Sequence, residues 1–418
     1  MQRVAITGVG LVTPLGLTAA ENVARSCRGE SAIGPARAFA VEGHAAQALA
    51  TVPEFDIEPL LRFPKNSKFM GRSVQFAMRA AREAIDHSGL DLARMDAARI
   101  GIQVGSGQTG VEYDHFFPSL IMAWDAGREM DYKYLGGLPS HLIDRYICLR
   151  TLANGGLALL STEFGIRGPN GNFAQKDTAS AQALNAAYLD LLEGRSDVAI
   201  AGGYDSLATP GNFLAYEQAG LLSHADPAEA CRPFDSHADG LVLSEGAGFV
   251  VLERWEHATD RGATILGEFL GASSAIGDAT SWRPAWSSDT IRRVARQALG
   301  EVVPDFVVAS GTACLAEDRA EAGALAEIAG AAPVTALKSL TGYMGAGTAA
   351  AELGLGLLCA REGFVPAIAR HSSPINAASN FVCTATRPLP QSEPLGLFLA
   401  TSWGGAVAVL AARAVRQK

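Results

Sequence analysis

The feature that most constrains this chain is an alternation. Short apolar runs bounded by glycine are followed, again and again, by stretches with a helical apolar period. Val4–Val9 is strand-like and ends in Gly8-Val9-Gly10. Val74–Ile85 has helical spacing, and His87-Ser88-Gly89 supplies a glycine stop. Ile100–Val104 reads as a buried strand leading into Gly105-Ser106-Gly107. Leu184, Ala187, Tyr188 and Leu191 fall on one face of a helix that closes at Glu193-Gly194, and Val198–Ala201 is a strand ending in Gly202-Gly203. The later part of the chain repeats the plan. It has a strand at Phe249–Glu253, an amphipathic helix at Asp289–Leu299, a strand at Phe306–Ala309 and a small-residue helix at Ala346–Arg361. Two strands, Gly396–Ala400 and Ala406–Ala411, close it. Strands separated by helices imply an α/β fold with parallel sheets covered on both faces. The order of elements suggests an internal duplication, with halves at 1–255 and 256–418.

Composition removes several function classes. With 48% apolar and 18% charged residues over 418 positions, the chain can bury a large core. A net charge of −9 argues against general nucleic-acid binding. No apolar run reaches the roughly 20 residues that span a bilayer, so no membrane segment is expected. The first residues enter a strand directly, without the pattern of a signal peptide. Six cysteines (Cys27, Cys148, Cys231, Cys314, Cys359, Cys383) are scattered without a CxxC pair. Neither a zinc site nor a disulfide framework is indicated, and a reducing cytoplasm fits. Gly8-Val9-Gly10 after a strand invites a dinucleotide reading, but Thr13 stands where the third glycine belongs and no acidic ribose partner follows. No cofactor and no metal are expected.

Long motifs further along carry more information. Gly168-Pro169, Asp177-Thr178-Ala179 and Gly194 through Gly203 form one block. Cys231-Arg232-Pro233-Phe234-Asp235, Asp239-Gly240, Ser244 through Gly248 and Val251-Leu252-Glu253 form a second. Ser310-Gly311-Thr312 and Lys338 through Tyr343 follow, and Val4–Gly16 opens the chain. In this order the blocks resemble those of β-ketoacyl-ACP synthases over nearly the whole sequence. The resemblance implies the duplicated α-β-α-β-α thiolase arrangement. It also implies a catalytic Cys at the start of a buried helix, where the helix dipole raises the thiolate fraction. Two His residues would assist decarboxylation and hold the developing enolate.

At those three positions this chain has Asp177, Ser310 and Tyr343. A carboxylate cannot carry a thioester in the thiol's place, a serine is no proton shuttle near neutral pH, and a phenol titrates near 10. Asp177 is read as a helix N-cap that stays ionised, against the alternative of a catalytic carboxylate. Cys314 is read as a packed thiol, against a relocated nucleophile; no helix start is legible beside it. Lys338 and Glu352 are retained, and the resemblance implies a buried pair that braces the site. Trp403, in Thr401 through Gly405, falls on the family's glycine-rich gating loop; a plain core tryptophan is the other reading.

The loss of nucleophile and both bases together resembles the chain-length factor, the degenerate subunit of a ketosynthase heterodimer in type II polyketide or polyene synthesis. That resemblance implies a catalytic ketosynthase as partner and an acyl carrier protein docked mainly through that partner. It implies that the strand at about 170–176 pairs across the two-fold, and that Tyr146, Ile147 and Leu149, in the irregular segment Glu112–Leu152, reach over the interface to shape the tunnel. Lys65, Lys68 and Arg72 are read as solvated surface or a minor docking patch. Two other readings stay open: a homodimeric enzyme with unusual acyl-transfer or decarboxylase chemistry at Asp177 or Cys314, and a pure scaffold of an acyl-carrier-protein assembly line.

Overall fold

The computed structural model describes residues 2–107, 122, 124, 129–137, 146–277, 287–300, 302–376, 380–383 and 385–416. Ten strands form one continuous sheet. They are β1 (Val4–Val12), β2 (Ile100–Ser106), β3 (Asn170–Phe173), β4 (Val198–Ser206), β5 (Glu245–Arg254), β6 (Gly267–Ile276), β7 (Phe306–Val308), β8 (Val334–Thr335), β9 (Leu395–Ser402) and β10 (Ala406–Ala414). Across the sheet they run β8-β7-β9-β10-β6-β1-β5-β4-β2-β3.

That order contains a repeat. From the centre outward, one side reads first, fifth, fourth, second, third strand of β1–β5, and the other side reads the same for β6–β10. The strand directions repeat as well. The fourth strand pairs parallel with the second, and the fifth pairs antiparallel with both the first and the fourth. The two sides join where Val4–Ile6 lies antiparallel to Gly267–Phe269. The sheet is therefore mixed. This corrects the expectation of parallel sheets: the last strand of each half returns antiparallel to the strand before it, after a long connection in the first half and a tight turn in the second, which helix–strand alternation does not reveal.

Strand alternation divides the side chains between layers. Phe249 and Val251 of β5 face α1 (Arg72–Ser88), packing with Phe76, Ala80 and Ala84. Val250 and Leu252 face the opposite way, toward α2 (Ala179–Leu192) and α6 (Thr348–Glu362). On the other side, Leu397 and Leu399 meet α4 (Ser288–Leu299) and α5 (Leu315–Ile328), while Phe398 and Ala400 face the central layer. The result is helices, sheet, central helices α2 and α6, sheet, helices. This is the thiolase-like arrangement.

The glycines of β1 serve this packing. A Cβ at Gly8 would lie 2.0 Å from the Ala84 carbonyl oxygen, and one at Gly10 1.9 Å from that of Ala80. The Gly8-Val9-Gly10 pattern therefore lets α1 rest on the strand, and β1 continues through it to Val12. Gly202 and Gly203 likewise lie inside β4 rather than ending it, as the sequence pattern suggested. A Cβ at Gly203 would meet the Ala346 oxygen at 2.5 Å and Ser180 Cβ at 2.6 Å. The chain leading into α6 and the first turn of α2 can approach only because that side chain is missing.

Much of the segment Glu112–Leu152 lies outside the described residues, as do His115, Phe116, Phe117 and Arg145. Among the described residues no helix is long and apolar enough to cross a membrane, and no cluster of His, Cys, Asp or Glu could hold a metal ion.

Candidate functional site

The close approach at Gly203 brings the first turn of α2 against the segment that opens α6. Asp177 lies in a short 3₁₀ turn, Lys176–Thr178, between edge strand β3 and α2. Tyr343 follows Gly342 on the turn before α6, and its ring is fully buried. The Tyr343 hydroxyl donates to Asp177 Oδ2 at 2.7 Å. The expected cap does not form. The residue flanking α2 is Thr178, no side chain caps the helix, and the Asp177 carboxylate turns inward to the phenol.

Turning inward costs Asp177 its solvation. Burial pushes its carboxyl up to about 6, against the pull of the Lys338 charge and the Tyr343 and Ser402 hydroxyls. Its second oxygen accepts no hydrogen bond of good geometry. An aspartate capping free backbone NH groups would be shifted the other way, so the expectation of a firmly ionised cap is corrected. Asp205 is equally buried, stands near Asp177 and is pushed up to about 7. Burial and the Asp177 charge push the Tyr343 phenol well above its ordinary range, so it remains a protonated donor.

Ser310 is buried in the loop after β7. Its hydroxyl accepts from the Thr401 hydroxyl at 2.7 Å and the Thr401 amide at 3.3 Å. It is thus tied to β9. The Ser310 carbonyl accepts from Lys338 Nζ at 2.6 Å, and Lys338 also pairs with Glu352 at 3.0 and 3.3 Å. Both side chains of that pair are almost wholly buried, and Glu352 is pushed up to about 7. Two carboxylates of α5 finish the loop. Glu321 accepts from the Ser310 and Gly311 amides, and Asp318 from the Thr312 and Phe234 amides.

An aromatic stack closes the outer side. Trp403 packs on Tyr216 with centroids 4.5 Å apart, and Tyr216 on Tyr343 at 6.0 Å. Trp403 is half-buried, so it is a wall of the site and no deep core residue. Lys176 Nζ lies 4.2 Å from the Trp403 ring centre and 5.8 Å from that of Tyr216. Tyr216, on α3 (Pro210–Gln218), and Asp205, in β4, were missed in the sequence. Neither sits in a motif with a chemical spacing, although Lys176 is legible as the neighbour of Asp177.

Cys314 directly precedes α5, so a helix start does stand beside it, contrary to the sequence reading. Burial, with Glu317 and Asp318 nearby, nevertheless pushes its thiol upward, away from reactivity. Tyr146, Ile147 and Leu149 are not brought to this cluster. They form and flank a short helix (Ile147–Arg150) resting on the Lys68-Phe69 turn, with the Tyr146 and Phe69 rings 5.0 Å apart and Leu149 exposed.

The β-ketoacyl synthase N-terminal domain family matches residues 1–258, and its C-terminal domain family matches 266–371. The chain belongs to the β-ketoacyl synthase family. Among curated relatives, 3-oxoacyl-[acyl-carrier-protein] synthase 2 of Coxiella burnetii is 30% identical over 377 residues, 87% of each chain. The tetracenomycin polyketide synthase ketoacyl synthase beta subunit of Streptomyces glaucescens is 31% identical over 375 residues, again 87% of each. The solved ishigamide ketosynthase/chain length factor is 25% identical over all of both chains, with a TM-score of 0.86. In this β-ketoacyl synthase homologue the buried centre offers a carboxyl, a phenol and a hydroxyl already bonded to its neighbours. None of the three supplies a thiolate or an imidazole at that point.

Proposed function

We propose that this chain is a non-catalytic ketosynthase-like subunit that pairs with an active ketosynthase and helps set product length in type II polyketide or polyene synthesis. The observation that carries the reading is the Tyr343–Asp177 hydrogen bond at 2.7 Å in a fully buried centre. The side chains at two of the three reactive positions are bonded to each other and leave no nucleophile to load. The names of two relatives, a ketoacyl synthase beta subunit and a ketosynthase/chain length factor, support the same direction. The acyl carrier protein then docks mainly through the catalytic partner, whose basic residues meet its acidic surface.

The test is co-expression with a ketosynthase that carries Cys, His and His. Replacing the partner's nucleophilic cysteine by Ala should cut product by at least about 1,000-fold, while Asp177→Ala here keeps product within about 3-fold. An acyl mass increase on this chain purified alone and given acyl carrier thioester would overturn the reading. It would favour the homodimeric enzyme instead.

A second expectation concerns length. Ile147 is half-buried on a surface helix beside exposed Leu149, available to a partner. In the reconstituted pair, Ile147→Ala should lengthen the product and Ile147→Trp shorten it, read by mass spectrometry of released chains. An unchanged length distribution across Ala, Phe and Trp would leave the scaffold reading in its place.

A further inference from the structure

Among the described residues, Lys176 is the one charged residue lining a pocket of about 430 Å³. The pocket lies between the segment before α2, the end of β6 and the β9–β10 turn, and Trp403 forms part of its wall. Among the described residues no Asp or Glu lines it, and neither Asp177, Tyr216 nor Tyr343 is part of its wall. The space is of the size that takes a small organic molecule.

The lysine is unusual in three ways. Its backbone holds φ at 50°, the left-handed region that a side chain other than glycine rarely occupies. Its amine makes no hydrogen bond or ion pair among the described residues; only the Trp403 and Tyr216 rings face it. Burial lowers its pKa in spite of Asp177 and Asp205, whose charges act to raise it. The two rings favour the ammonium, against the burial that lowers the pKa. A half-buried amine of this kind carries more of its neutral, nucleophilic form than a surface lysine does.

We propose that Lys176 is a carbonyl-capturing amine and that the pocket takes a small β-dicarbonyl compound. Nζ attacks one carbonyl carbon. The Nζ–C bond forms, the C–O bond breaks, and the oxygen leaves as water with both amine protons. A proton of the central CH₂ then shifts to nitrogen, giving an enaminone with no oxidant or reductant consumed. Gln182 and Ser274 also line the pocket and bring side-chain donors that could serve the second carbonyl oxygen. This inference rests on the pocket and not on the heterodimer reading; it holds or fails separately.

The test uses the full chain, with its catalytic partner where that is needed for solubility, and pentane-2,4-dione at pH 7. Peptide mapping should place the adduct, one pentanedione less one water, on Lys176 at least about tenfold faster than on exposed Lys65 and Lys68. The rate should saturate with pentanedione, and near-ultraviolet enaminone absorbance should rise in step. Lys176→Arg should lose the fast phase. Modification of Lys176 no faster than of Lys65 and Lys68, or a rate linear in pentanedione, would overturn the proposal in the unmutated protein, whatever the variant does.

Discussion

Lys338→Met should be among the most damaging single changes outside the helix cores, costing about 3–5 kcal/mol of stability. The lysine has two jobs in one buried spot. It neutralises Glu352, and it satisfies the Ser310 carbonyl in the loop after β7. Without it, Glu352 must take up a proton, and the carbonyl stays dry and unpaired. Urea unfolding at pH 7 measures the loss. The double variant Lys338→Met with Glu352→Leu should recover much of it, because a buried pair replaced as a unit costs far less than a pair broken. A single-variant loss under about 1 kcal/mol would mean that the pair does not brace the centre. The same double variant should leave the complex with a catalytic partner intact, since neither residue is exposed.

Asp177→Asn should stabilise the chain at neutral pH and not in acid. Asp177 ordinarily titrates at 3.8 and is pushed up to about 6 in the fold. The unfolded chain therefore gives up its proton first as pH rises. Stability from this group is fully present below pH 3.8 and is lost as pH passes through about 6. The loss is roughly 3 kcal/mol, at about 1.4 kcal/mol per pKa unit. Asp205, Glu352 and Asp318, pushed up to about 7, 7 and 8, extend the decline toward pH 8. Asp197, Asp235 and Glu253 are shifted down and act in the opposite sense, but at more acid pH. The unfolding midpoint of the unmutated chain should therefore fall from pH 5 to 8. An asparagine oxygen still accepts from Tyr343 and carries no charge. The gap between variant and parent should open between pH 4 and 7; a gap that stays constant with pH would show that Asp177 does not titrate in this range.

Much of the fold was readable. The 3.6 period of α1 and α4 and the apolar runs of β2 and β5 come from side-chain burial that each segment carries within itself. Strand direction was not readable, because whether β5 runs with or against β4 depends on where a long connection returns. The glycines were visible as residues, but their purpose was not. Gly8 and Gly203 mark helix contacts from far along the chain, and the sequence shows only that a side chain is missing.

The sequence by itself determined that the β-ketoacyl synthase framework is present, and it shows Asp177, Ser310 and Tyr343 where the resemblance leads one to expect Cys, His and His. Those facts depend only on which residues stand at fixed positions within long motifs. The tertiary structure alone decided how the vacated centre is filled. Asp177 faces Tyr343 and not the helix amides, Ser310 is tied to Thr401, and Tyr216 with Trp403 seals the outer side. Each of these contacts joins residues far apart in the chain except through folding. Their energies depend on burial, which sets whether a carboxyl is charged and a phenol donates. No local pattern encodes burial at a junction of four elements.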